Sequence, residues 1–189
     1  MNISIFGKGN MGQAIGKNLE MAGNQVKYLG HETDAELGDI VVLAVPYSAI
    51  DGILKNYENA LKNKIVVDIT NPVDFDTFDR LLVPSDSSVA AEVQKKLPES
   101  QVIKAFNTNF AATLNTGKVN GESQTTVFMA SDFDEAKNKL ADALKGSPLA
   151  VIDAGSLKRA REMEAFGFFQ MTLAAREKIT WTGGFSVVK

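Results

Sequence analysis

The sequence predicts an α/β protein of the Rossmann type, with a doubly wound, mostly parallel sheet and a long C-terminal helix. Short runs rich in Val, Ile, Leu and Ala recur along the chain, as expected for parallel strands covered on both faces. Helical patterns lie between many of these runs, and a glycine triplet directly follows the first run. The expected strands are Ile3–Phe6, Gln25–Leu29, Ile40–Val45, Ile65–Ile69, Val102–Phe106, Thr125–Met129 and Leu149–Ile152.

Three shorter segments have helical patterns. The first is Met11–Met21, and the second is Ser88–Leu97, which a proline stops. A third helix is expected to start at Ser131, because the sequence Ser-Asp-Phe-Asp there is typical of a capping box. Gly146 and Pro148 would end this helix, since both residues disfavour its continuation.

The last helix is expected to run from about Ser156 to Lys178. An apolar stripe along it is explained either by packing against the sheet or by a dimer interface. The dimer alternative arises because Phe166, Phe168 and Phe169 point in more than one direction, and it leads us to expect a homodimer. The stripe consists of Leu157, Ala160, Met163, Phe166, Phe169, Leu173 and Ala174.

The composition is that of a globular protein, with 44% hydrophobic and 23% charged residues among 189. We therefore expect a single domain spanning residues 1–189. The net charge of −3 does not favour nucleic acid or an anionic membrane as a partner. We expect neither partner, and we expect a cytoplasmic location because no targeting segment is recognisable. The chain has no cysteine and a single histidine, so no metal site is expected.

The first strand leads into Gly7, Gly9 and Gly12, which have the G-x-G-x-x-G spacing of a dinucleotide-binding turn. In such a turn the first glycine permits the tight bend, the second lets a pyrophosphate approach, and the third allows close packing of helix on strand. The phosphates would lie at the helix N-terminus, where free N–H groups favour negative charge. The alternative is an ordinary glycine-rich turn. The candidate cofactor-binding residues here are Gly7, Lys8, Gly9, Asn10, Met11 and Gly12.

Further candidates follow the later strands, because ligands of open α/β sheets bind beyond the carboxyl ends of the strands. Small or N–H-free residues at the end of the third strand would offer the nicotinamide a flat apolar wall. Two asparagines after the next strands could bind ribose hydroxyls or a carboxamide. The alternative is structural, because Asn-Pro is a common turn pair. These candidates are Ala44, Val45, Pro46, Asn71, Pro72, Ala105 and Asn107.

The end of the second strand bears on the choice between NAD and NADP. Gly30 and His31 stand there, and together they would admit and bind a 2′-phosphate, which favours NADP. The alternative is that His31 is an ordinary solvated surface residue. Glu32 leaves NAD possible, because an acidic side chain at this point binds the ribose 2′-hydroxyl.

The segments GKGNMG, VVLAVP, VVDITNPVDF, VIKAFNTNF and VIDAGSLKRAREMEAF occur in this order. With them the chain resembles the dinucleotide-binding enzymes grouped with NADPH-dependent deazaflavin (coenzyme F420) reductase, and the related cytosolic domain of the STEAP metalloreductases. The resemblance implies hydride transfer between NADP(H) and a flavin or deazaflavin, without a covalent intermediate, so residues act by positioning only. The chain departs from the family where about ten residues separate Leu29 from Ile40, since relatives carry a helix and a strand there.

The hydride acceptor is a small molecule whose identity the sequence does not specify. We expect residues 75–87 to form a loop near the ring site, or else an irregular surface connection. Trp181 and Phe185 in the tail add an aromatic wall or simply dock the tail. Two other functions stay open: a nucleotide sensor that binds NADP(H) without turnover, and a small carbonyl or imine reductase.

Overall fold

The strands of the computed structural model agree with the predicted runs to within one or two residues, apart from the longer last strand. The structure describes residues 1–30 and 34–188. A short hairpin, β6 and β7, was not predicted. The strands are β1 Asn2–Phe6, β2 Gln25–Leu29, β3 Ile40–Leu43, β4 Ile65–Asp68, β5 Gln101–Ala105, β6 Lys118–Val119, β7 Ser123–Gln124, β8 Thr126–Ala130 and β9 Ala150–Gly155.

In the described part of the chain, seven strands form one sheet in the order β2-β1-β3-β4-β5-β8-β9. The five strands from β2 to β5 in this order are mutually parallel. Strand β8 is antiparallel to β5, and β9 is parallel to β8. The carboxyl ends of β1, β3, β4 and β5 therefore share one edge of the sheet, and β8 and β9 run away from that edge.

Helices cover both faces of the sheet, which confirms the doubly wound fold class. Alternate residues of β3 show the two faces, since Ile40 and Val42 belong to one core cluster while Val41 and Leu43 belong to the other. No helix in the described residues is both long and apolar enough to cross a membrane. The helices are α1 Asn10–Met21, α2 Tyr47–Asn56, α3 Glu58–Leu61, α4 Val89–Lys96, α5 Ala111–Thr116, α6 Asp134–Ala143 and α7 Ala160–Ala175, with a 3-10 turn at Leu157–Arg159.

The prediction of a capping box at Ser131 is wrong. Helix α6 begins at Asp134, and its N-cap residue, Phe133, makes no side-chain cap hydrogen bond. The Ser131 hydroxyl instead donates to the carbonyl oxygen of Val102 in β5 and accepts from the N–H of Phe133. Ser131 thus joins the end of β8 to its antiparallel neighbour instead of starting the helix.

The short connection after β2 is confirmed for the residues that are described. Residues 34–39 contain neither helix nor strand, and β3 begins at Ile40. The next strand therefore pairs with β1 on the side away from β2. As a result, β2 is an edge strand of the sheet.

The apolar stripe of the last helix is divided between the protein interior and the surface. Leu157, Ala160 and Met163 are buried, as the packing explanation requires. Phe166 and Phe169 are 36% and 54% exposed. A dimer contact through these exposed rings stays a prediction.

Candidate functional site

The glycine turn between β1 and α1 is built by close backbone packing. Gly7 has a φ of +107°, and a Cβ there would overlap the carbonyl oxygen of Ala44. A Cβ at Gly12 would overlap the carbonyl oxygen of Gly7. Both glycines are therefore required by the turn itself, because a side chain at either position would push β1, β3 and α1 apart.

Gly9 differs from the other two glycines. Its φ of −77° suits any residue, and a Cβ there would meet nothing within 4 Å. It is the N-cap of α1, which has no side-chain cap and no acidic residue in its first turn. Helix N-termini with free N–H groups attract anions. The backbone around Gly9 is thus open and has the features of an anion-binding helix N-terminus.

A cavity of about 630 Å³ lies at the carboxyl ends of β1, β3, β4 and β5, beside the N-terminus of α1. Its size is within the range of roughly 300–1,000 Å³ that is usual for small-molecule sites. The lining residues are Gly9, Asn10, Met11, Ala44, Val45, Pro46, Tyr47, Ile69, Thr70, Asn71, Phe75, Asn107, Asn109, Phe110, Ala111, Ala112, Met171 and Trp181.

Most of the candidate residues meet at this cavity, although they come from four separate parts of the chain. Lys8 lines an adjoining open cavity of about 680 Å³ and shares that wall with Asn10. Pro72 and Ala105 are buried and are not among the lining residues. Gly30 follows the end of β2, and His31 lies outside the described residues. The candidates that line the larger cavity are Gly9, Asn10, Met11, Ala44, Val45, Pro46, Asn71 and Asn107.

The two candidate asparagines bind each other. Asn107 donates from Nδ2 to Asn71 Oδ1 at 2.9 Å, and Asn71 donates from Nδ2 to the carbonyl oxygen of Asn107 at 2.7 Å. Asn107 Nδ2 also donates to the carbonyl oxygen of Met163 in α7. A Cβ at Gly167 would overlap this pair, so α7 needs a glycine there to approach so closely. The asparagines therefore join β4, β5 and α7 beneath the cavity.

A buried ionic cluster lies close to the asparagine pair, and sequence reasoning missed it. Lys104 donates from Nζ to Asp68 Oδ2 at 2.8 Å and to Glu164 Oε1 at 2.7 Å. All three side chains are at most 1% exposed. Lys104 also donates to the carbonyl oxygen of Thr70, a residue that lines the cavity. The missed signal is a charged residue in each of two apolar strand runs, since Asp68 and Lys104 interrupt otherwise apolar sequences.

Glu164 brings α7 and α4 to the same cluster. Its carboxylate accepts from the N–H of Val89 at 2.9 Å and 3.2 Å. Burial raises the pKa of Glu164 to about 7, with nearby Asp68 adding to the rise and Lys104 opposing it. The protonation of this carboxyl group therefore changes close to neutral pH.

The lining of the cavity is mainly apolar, with a few amide and hydroxyl groups. Tyr47 is the only titratable side chain among the described lining residues. Burial and the nearby carboxylate of Glu92 raise its pKa, and its hydroxyl donates to Glu92 Oε2 at 3.3 Å. Among residues 1–30 and 34–188, no group of three His, Cys, Asp or Glu residues is placed to hold a metal ion. This lining is suited to holding flat rings in position.

Comparison with known proteins identifies the family. Residues 29–72 match the family described as NADP oxidoreductase, coenzyme F420-dependent. The F420-dependent NADP reductase of Methanocaldococcus jannaschii is 32% identical over 171 residues, which cover 87% of this chain and 76% of the relative. The chain belongs to the F420-dependent NADP reductase family. This confirms the resemblance drawn from the sequence motifs.

This member of the F420-dependent NADP reductase family also resembles two other proteins. The rat metalloreductase STEAP3 is 32% identical over 105 residues, covering 56% of this chain and 20% of STEAP3. A crystal structure from Arthrobacter sp. FB24, assigned provisionally as an F420-dependent NADP reductase, has a TM-score of 0.84. It is 23% identical and covers 99% of both chains, so it supports the fold.

We predict that Gly9→Ala folds normally and binds NADPH about tenfold more weakly, a loss of about 1.4 kcal/mol in binding free energy. The added methyl group meets no protein atom within 4 Å, so it projects into the space assigned to the pyrophosphate. Calorimetric titration with NADPH and a thermal melt of the same sample measure the two properties.

Gly52→Ala is the matched control, because Gly52 lies on the exposed surface of α2 and a Cβ there also meets nothing within 4 Å. It should bind NADPH like the wild type. Gly7→Ala should lower the melting temperature, because its Cβ overlaps Ala44 and its φ is positive. Unchanged NADPH affinity in Gly9→Ala would place the pyrophosphate elsewhere.

We predict that Glu164→Gln changes how stability depends on pH. In the folded protein the Glu164 carboxyl keeps its proton up to a pKa of about 7, against 4.5 when it is unperturbed. Because the folded state binds more protons between these values, this group's contribution to the free energy of unfolding falls as pH rises from about 4.5 to about 7. The full change is about 3 kcal/mol.

Urea unfolding of Glu164→Gln and the wild type at several pH values in this window measures the difference. The wild type should lose stability relative to the variant as the pH rises. Glu162→Gln, an exposed neighbour on the same helix, is the control and should follow the wild type. Parallel curves for Glu164→Gln and the wild type would contradict the raised pKa.

Proposed function

We propose that this protein transfers a hydride between NADP(H) and coenzyme F420, a deazaflavin. The observation that carries the proposal is the open space at Gly9, at the N-terminus of α1, next to a cavity lined by apolar and amide groups. A nucleotide held at this turn projects its reactive ring into the cavity. Membership of the F420-dependent NADP reductase family supports NADP and F420 as the two substrates.

The roles of the candidate residues follow from their positions. The first-turn N–H groups of α1 and the glycine turn bind the pyrophosphate. Ala44, Val45 and Pro46 form the wall for the nicotinamide, because Pro46 presents no N–H and the others are small or apolar. Asn71 and Asn107 join β4 and β5 to α7 beside this wall and supply amide groups to the cavity lining. Pro72 and Ala105 support them from behind.

The 2′-phosphate end of NADP is assigned to the end of β2. Gly30 and His31 are the candidates, and β2 is an edge strand of the sheet in the described part of the chain. We propose NADP over NAD, as in the relatives named for NADP.

The main task of the protein in this reaction is to align the nicotinamide ring with the deazaflavin ring. A hydride passes from NADPH to oxidised F420, which also takes up one proton, so that NADP⁺ and reduced F420 are formed. The two rings must lie face to face at reacting distance, and holding them so supplies much of the rate enhancement. No covalent intermediate is required, which agrees with a lining that has one titratable side chain among the described residues.

Several wider properties belong to the same proposal. We propose that residues 1–189 act as one domain, that two copies associate through the exposed rings of Phe166 and Phe169, and that the enzyme works in the cytoplasm. The net charge of −3 supports small molecules over nucleic acid as partners. A flavin such as FMN is proposed as a poorer acceptor than F420.

Stopped-flow absorbance at the NADPH band tests the reaction. We predict that the protein oxidises NADPH when oxidised F420 is present, at least about tenfold faster than with FMN or FAD, because family membership favours the deazaflavin. NADPH should be a better donor than NADH by a similar factor.

Gly9→Ala should lower the rate at subsaturating NADPH, and Gly52→Ala should match the wild type. Failure of every acceptor to oxidise NADPH, despite measurable NADPH binding, would instead favour the nucleotide sensor. Faster turnover with a carbonyl or imine substrate would favour a reductase of that class.

A further inference from the structure

The C-terminal segment places the side chain of Trp181 in the cavity lining, and neighbouring residues cover only part of it. Trp181 lines the cavity, yet it is 51% exposed. One side of the indole packs against Phe110, with ring centroids 4.9 Å apart and planes tilted by 58°. A tryptophan that served only to dock the tail would bury most of its large apolar surface. Here about half of that surface faces the cavity and the solvent.

Trp181 belongs to the part of the cavity lining that follows β5, through its contact with Phe110. The glycine turn follows β1, the proposed nicotinamide wall follows β3, and Phe110 follows β5. Strands β3, β4 and β5 are neighbours in the sheet, so β3 and β5 are separated by two strand spacings, about 10 Å. With the nicotinamide on the proposed wall after β3, the space beside Trp181 is available to the second substrate.

The backbone on both sides of Trp181 is held in place. The N–H of Asn120, between β6 and β7, donates to the carbonyl oxygen of Thr182 at 2.7 Å. The N–H of Phe185 donates to Oε1 of the buried Gln170, whose Nε2 donates to the carbonyl oxygen of Thr108. These bonds tie the segment to α7 and to the end of β5. The indole is therefore positioned before any ligand arrives, which lowers the entropic cost of binding.

We propose that Trp181 is the stacking platform for the flat tricyclic ring of the hydride acceptor. This inference rests on the proposed function and assigns the acceptor subsite within it. The indole offers a wide π-surface, and stacking on such a surface favours a large planar ring over a small carbonyl compound. Trp181 thus contributes to selecting the acceptor and has no part in binding NADP.

Equilibrium binding tests the platform without requiring turnover. Oxidised F420 is titrated calorimetrically into protein saturated with NADP⁺, and NADPH is titrated separately into the free protein. Trp181→Leu should raise the Kd for F420 about tenfold, the size that loss of one stacking contact produces. Trp181→Phe should keep most of the affinity, and the Kd for NADPH should stay within about twofold in both variants.

Phe185→Leu is the matched control. Phe185 lies in the same segment, packs against Phe166 at 5.0 Å between ring centroids, and is not among the cavity-lining residues. It should leave both affinities unchanged. Equal weakening by Phe185→Leu and Trp181→Leu would mean that the tail acts only by docking, and would overturn the proposal. So would Trp181→Leu with wild-type affinity for F420.

A second measurement uses the unaltered protein, because Trp181 is the only tryptophan in the chain. Acrylamide should quench its fluorescence less strongly once F420 is bound to the NADP⁺-saturated protein, since the stacked ring shields the exposed face. An unchanged quenching constant with bound F420 would overturn the platform. Shielded binding without turnover would reject the proposed reaction and keep the platform, whereas absence of F420 binding would reject both.

Discussion

The buried cluster of Lys104, Asp68 and Glu164 is the interaction on which the site depends. It joins the ends of β4 and β5 to α7, and through the N–H of Val89 it also reaches the start of α4. Removing Lys104 would leave the buried carboxylate of Asp68 uncompensated, at a cost of about 3–5 kcal/mol. A hydrophobic replacement could stabilise the fold as well, but it would not direct four backbone segments to one point. The cluster therefore specifies where the cavity wall stands.

The asparagine pair and Gly167 extend this arrangement toward the ligand. The cluster sets the distance from α7 to the sheet. Because Gly167 has no Cβ, α7 can pack directly against Asn71 and Asn107. With α7 this close, Met171 reaches the cavity near the end of the same helix. The asparagine pair and Met171 are thus positioned by one continuous set of contacts.

The fold could be predicted largely because the strands are apolar runs separated by helical patterns, and because Gly7 and Gly12 are demanded by backbone packing that every such turn shares. The cavity candidates were found for the same reason, since parallel strands bring their carboxyl ends together. The ionic cluster could not be placed, because nothing local indicates that Glu164, on a helix 60 residues after Lys104, meets the sheet. The predicted cap at Ser131 does not form, because the Ser131 hydroxyl donates to the carbonyl oxygen of Val102 in β5, which is distant in sequence.

The reversed direction of β8 and β9 determines that α7 and the segment after it complete the cavity wall. Because β9 runs away from the cavity edge, α7 starts away from that edge and runs back toward the cavity. Met171 in the last turns of α7 and Trp181 after the helix both line the cavity. The residues of the glycine turn precede residues 160–181 in the chain, so translation makes them first. A chain that lacks residues 160–181 would carry the glycine turn but would lack Met171 and Trp181 from the cavity wall.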